Sequence, residues 1–126
     1  MLTQDQLIQA VKEIHDLTNQ GQGIEAMKKY YAENVTMIES DGKATTGLAE
    51  NLKREEEFLS SITAMRSMTI DDTFVYCNEA TKESIVVTTS SMDLDINGQA
   101  FKGKQVSITN WENNKVSREQ YIYKSF

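Results

Sequence analysis

The chain has 126 residues, with 13 Lys and Arg against 19 Asp and Glu and a formal net charge of -6. Its length fits one domain spanning residues 1–126, and 39% hydrophobic with 25% charged residues describes an ordinary globular chain, neither disordered nor embedded in a membrane. No basic cluster is longer than Lys28-Lys29 or Lys53-Arg54, so there is no stripe to track phosphates, and nucleic acid is not an expected partner.

Leu7, Val11, Ile14 and Thr18, with Ile8 and His15 beside them, recur at helical spacing and predict a helix over 3–19, opened by a Thr3–Gln6 capping box. Gly21-Gln22-Gly23 breaks it. Ile24, Met27 and Tyr31 predict a second helix ending near Glu33-Asn34 and forming a hairpin with the first. A short strand over 35–39, a turn at Ser40-Asp41-Gly42 and the pair Thr46-Gly47 lead to a third helix with the stripe Leu48, Leu52, Glu55, Leu59, Ile62. Strands follow over 68–76, 84–96, 101–111 and 116–123, with turns at Asn97-Gly98 and Asn113-Asn114. Helices first and antiparallel strands afterwards predict an α+β domain whose helices cover one face of a curved sheet.

Several residues could carry chemistry. His15 lies on or beside the apolar stripe of the first helix, facing either the core or a pocket. Glu39 shares a strand face with Val35 and Met37, a costly place for a carboxylate unless it is paired, protonated or already at the solvated strand end. Glu55 interrupts the third helical stripe and reads as a helix-edge glutamate with a packed stem and a wet head. Alternation puts Gln105, Ser107, Thr109 and Trp111 on one strand face and Val106 and Ile108 on the other. Glu119, Tyr121 and Tyr123 likewise oppose Val116, Arg118, Gln120 and Ile122. These polar and aromatic rows form either a small-molecule pocket or a solvated face. One histidine and one cysteine, His15 and Cys77, are too few for a zinc site, and neither a metal nor another cofactor is expected. A lone cysteine and a start without signal-peptide features fit a reducing, cytoplasmic location.

The order helix, helix, short strand, long helix, antiparallel strands resembles the nuclear transport factor 2-like superfamily, in particular its SnoaL-like members. The residues carrying the resemblance are Tyr30-Tyr31-Ala32-Glu33-Asn34-Val35 leading to Met37-Ile38-Glu39, then Thr46-Gly47, and finally Trp111 through Lys115-Val116 to Tyr121-Ile122-Tyr123. It implies a cone, a curved antiparallel sheet wrapped around three N-terminal helices. By distant resemblance to ketosteroid isomerase, Glu39 falls at the carboxylate base, His15 at the oxyanion-binding tyrosine and Thr109 at the protonated aspartate. The resemblance also turns Glu119, Tyr121 and Tyr123 toward the pocket.

The expected function is therefore that of a SnoaL-like protein of undefined activity, holding a small, partly apolar molecule and performing isomerase-, cyclase- or dehydratase-type acid–base chemistry. Glu39 would be the base, with His15 and Thr109 donating to the oxyanion. Gln105, Ser107, Trp111, Glu119, Tyr121, Tyr123 and Glu55 would hold the ligand. The alternative is a non-catalytic binding or dimeric assembly module. A homodimer through the outer sheet face is expected, because Val106, Ile108, Val116 and Ile122 would otherwise leave an apolar patch in water.

Overall fold

In the computed structural model, which describes residues 1–125 with side chains as far as Tyr123, helix α1 runs Gln4–Asn19. Thr3 caps it as expected: its hydroxyl accepts the Gln6 N–H at 3.1 Å, and the Gln6 side chain accepts the Thr3 N–H at 2.9 Å. Leu7, Ala10 and Val11 are its buried stripe. Helix α2, Gly23–Tyr30, follows the glycine break but stops short of the expected end near Glu33-Asn34. Tyr31 instead opens strand β1, Tyr31–Ile38, where it pairs with Val116 and is only 5% exposed. A strand partner far along the chain wins over the local helical pattern.

Strand β2, Ala44–Thr46, pairs antiparallel with β1 and leads to helix α3, Leu48–Ser61. The backbone turns into α3 at Gly47, whose φ of 103° suits a residue without a Cβ. Asn51, fully buried, donates its side-chain amide to the carbonyls of Gly47 at 2.9 Å and Thr45 at 3.0 Å, tying the helix to the β2 turn. Ile62, read above as the end of the helical stripe, begins strand β3, Ile62–Asn78, opposite Ile96. Strands β4, Glu83–Ile96, β5, Gln99–Glu112, and β6, Lys115–Ser125, complete the sheet in the order β2-β1-β6-β5-β4-β3. The fold is α+β, with β1 and β6 as a parallel pair in an otherwise antiparallel sheet. Among the described residues, no helix is long and apolar enough to cross a membrane.

Helix α1 packs on β3, and α3 packs on β1. The inward faces of β4 and β5 are strongly patterned: Ser84, Val86, Thr88, Ser90, Met92 and Leu94 are buried, as are Gln105, Ser107, Thr109 and Trp111. The polar row of β5 therefore faces inward. One residue breaks the expected pattern. Val116, assigned to the outer face by strict alternation, is fully buried in the core. Trp111 pairs with Val116 but Asn110 pairs with Arg118, so Ser117 is an extra residue, a β-bulge that lets Val116 and Glu119 both point inward. The core gathers Leu7, Val11, Met27, Val35, Val86, Trp111 and Val116.

Candidate functional site

Between the inward sheet face and the helices lies a cavity of about 490 Å³. That volume suits a small organic molecule. Strand register orders its lining. Leu94 pairs with Phe101 near the β4–β5 turn, Ser90 with Gln105 farther along, and Val86 with Thr109 next to the core. The end near the turn is thus apolar, with Met92, Leu94, Ile96 and Phe101, while the rest is lined largely by carboxyl, phenol and hydroxyl groups.

At the polar end, Glu119 of β6 is 5% exposed and is held by three hydroxyl groups. Tyr31 and Tyr121 donate to Oε1, the latter at 2.7 Å, and Ser107 donates to Oε2 at 2.7 Å. These donors favour the ionised form, but burial outweighs them and holds the Glu119 pKa above the ordinary carboxyl value. Burial and the Glu119 carboxylate push the phenols of Tyr31 and Tyr121 well up, so both stay protonated donors. Tyr123, raised chiefly by burial, also stays a neutral phenol.

Glu55 of α3 is half-buried and turns its carboxyl toward the cavity. A Cβ at Gly23 would stand 3.2 Å from its Oε1, so its carboxyl lies against the start of α2. Burial first, then the charge of Glu119, raises its pKa to about 7, against the smaller opposing pull of Arg54. No hydrogen bond from a described residue supports its ionised form. Two neighbouring carboxyls in a poorly hydrated space cannot both ionise cheaply, and the one without donors keeps the proton.

Glu39, the expected base, lines the cavity but is ion-paired with Arg54, each side chain 29% exposed. The environment expected of it, an unpaired carboxyl among apolar groups, belongs to Glu55. His15 does face the cavity, with a buried Nε2 that has no hydrogen-bond partner among the described residues. Burial lowers its pKa, so it is a neutral imidazole at neutral pH. Thr109 is not free to donate to an oxyanion: its hydroxyl accepts Trp111 Nε1–H at 2.9 Å and turns toward the Val86 carbonyl at 3.4 Å. Trp111 is itself core, 3% exposed, edge-on to Tyr30 with ring centroids 6.1 Å apart, and it does not line the cavity.

The other expected site residues, Gln105, Ser107, Glu119, Tyr121, Tyr123 and Glu55, all line the cavity. Sequence reasoning missed Tyr31, hidden by its assignment to a helix, and Arg54, hidden in the charged run 54–57. Among the described residues, no three His, Cys, Asp or Glu side chains are grouped to hold a metal ion.

The sequence matches no family model and no curated protein. Its structural likenesses are extensive. A SnoaL-like protein from Jannaschia superposes with a TM-score of 0.72 at 10% identity, over 93% of this chain and 84% of that one. A nuclear transport factor 2-like protein from Cytophaga hutchinsonii gives 0.72 at 12%, over 98% and 100%. A Catenulispora acidiphila protein with a ketosteroid isomerase-like fold, solved with trimethylamine, gives 0.71 at 15%, over 91% and 85%. The fold is that of the SnoaL-like and nuclear transport factor 2-like proteins.

Proposed function

We propose that the protein binds a small, partly apolar molecule in this cavity and transfers a proton on it, with Glu55 as the acid–base group. The observation that carries this reading is Glu55, half-buried against the cavity with no hydrogen-bond partner among the described residues, beside a hydroxyl-bound Glu119. A general base works best when its pKa lies near the operating pH, and Glu55 at about 7 meets that condition. Tyr123 and His15 remain to orient the ligand. The Catenulispora protein, solved in complex with trimethylamine, supports a compact organic ligand.

The test is a carbon-detected NMR titration of the glutamate side chains. One carboxyl should titrate near pH 7 and vanish from the spectrum of Glu55→Gln. A spectrum in which every carboxyl titrates below pH 5.5 refutes the assignment.

A second reading, binding without catalysis, is favoured by one observation: the hydroxyls of Tyr31, Tyr121 and Ser107 are spent on Glu119, and that of Thr109 is engaged too. Deuterium exchange into the carbon–hydrogen bonds of a bound ligand separates the two, since a binding module promotes none. In either reading two copies associate through the outer sheet face, as the exposed Phe74, Tyr76 and Ile122 suggest.

A further inference from the structure

Resting on the binding role of the cavity, we propose that the group it recognises is an ammonium ion carried on an apolar body, seated between Glu55 and Glu119, and that its entry drives the proton off Glu55. The first support is the charge content. From β6, Glu119 faces this point, and from just past the end of β1 comes Glu39, already neutralised by Arg54. From α1 comes His15, which burial keeps uncharged. The phenols of Tyr31, Tyr121 and Tyr123 are neutral. Arg54 is thus committed to Glu39, and the cavity offers no other cation to the Glu55–Glu119 pair among the described residues.

A second and independent support is Gln105. It is 8% exposed, faces the cavity, and its side-chain amide makes no hydrogen bond with a described residue. With no protein partner its amide is left open to the cavity, and its carbonyl oxygen is an acceptor for an N–H brought in by a ligand. The walls suit the rest of such a molecule: Phe101, Met92 and Leu94 line it for an apolar body.

The protonation step balances simply. The ammonium enters with its charge, the Glu55 carboxyl releases one proton to solvent, and the complex holds one cation against two carboxylates. The ligand that binds is then also the one that leaves Glu55 ionised and able to accept a proton.

The experiment is calorimetric titration of the intact protein at pH 6.5 with three probes of one shape: cyclohexylammonium, cyclohexanol and cyclohexanecarboxylate. Each is measured in buffers of different ionisation enthalpy. Cyclohexylammonium should bind at least about tenfold more tightly than cyclohexanol. With Glu55 titrating near 7, about 0.7 protons should be released per ammonium bound. Glu55→Gln, checked by its melting curve to be folded, should bind cyclohexylammonium less tightly and release no protons. Equal or tighter binding of cyclohexanol or of the carboxylate overturns the inference while leaving the cavity as a binding site. Ammonium binding without proton release overturns the Glu55 seat. If none of the three binds, both this inference and the binding role fall.

Discussion

Between pH 4.5, the ordinary value for a glutamate, and about 7, where burial and Glu119 place Glu55, the folded chain holds a proton that the unfolded chain has released. Folding stability from this group is therefore complete below the lower value, declines as pH rises through the window, and levels off above it. The shift corresponds to roughly 3 kcal/mol. Glu55→Gln, which mimics the protonated side chain, should melt with the wild type at pH 4.5 and above it at pH 8; coincident melting at pH 8 contradicts a desolvated Glu55. Glu119 lies at the other extreme, with three donors around it. Tyr121→Phe removes one hydrogen bond to a charged group and should cost about 2 kcal/mol in denaturant unfolding. Trp111, by contrast, packs in the core away from the cavity. Trp111→Ala should lose about 3 to 5 kcal/mol of stability with no change specific to ligand binding.

At the scale of elements, the bulge at Ser117 decides which side chains of β6 enter the cavity. Deleting Ser117 would restore a regular ladder with Val116 and Glu119 still inward, because one residue, Arg118, would then separate them. Deleting Gln120 instead would turn Tyr121 and Tyr123 outward. The first deletion should give a folded protein with a modestly lowered melting temperature, and the second should not fold cooperatively; equal outcomes by circular dichroism would remove the bulge from this role. Element boundaries were legible where their chemistry is local. The Thr3–Gln6 box caps α1, and Asn97, Asn113 and Asn114 hold positive φ in the two turns where their sequence put them. The end of α2 was not legible, since it depends on Val116 pairing with Tyr31 from 85 positions away.

For the whole molecule, the sheet's outer face is the feature left unaccounted for by a single chain. Without Val116 the expected row is shorter, but register adds a line across three strands, Phe74, Val87 and Ile108, with Tyr76 and Ile85 alongside. Phe74 and Tyr76 are each 59% exposed and Ile122 is 47% exposed. Apolar surface of this kind on one broad face is typical of an interface. Sedimentation should find a dimer at micromolar concentration and a monomer for Phe74→Lys with Ile108→Lys; a monomeric wild type would dismiss the interface.

The sequence by itself determined the α+β class, the order of the elements apart from β2 and most of the cavity's polar lining, because periodicity, caps and turn residues act over a few positions. Gln105, Ser107, Glu119, Tyr121 and Tyr123 were legible as alternating rows, although resemblance was needed to say which way they faced. Tertiary structure alone decided which carboxyl is which. Glu39 and Glu55 look alike as glutamates near apolar neighbours, and their difference arises only when the chain folds: Arg54 comes to rest on Glu39, while Glu119 and the wall of α2 enclose Glu55. A carboxyl's proton affinity is set by desolvation and by charges brought near it, and those are properties of positions in space rather than in sequence.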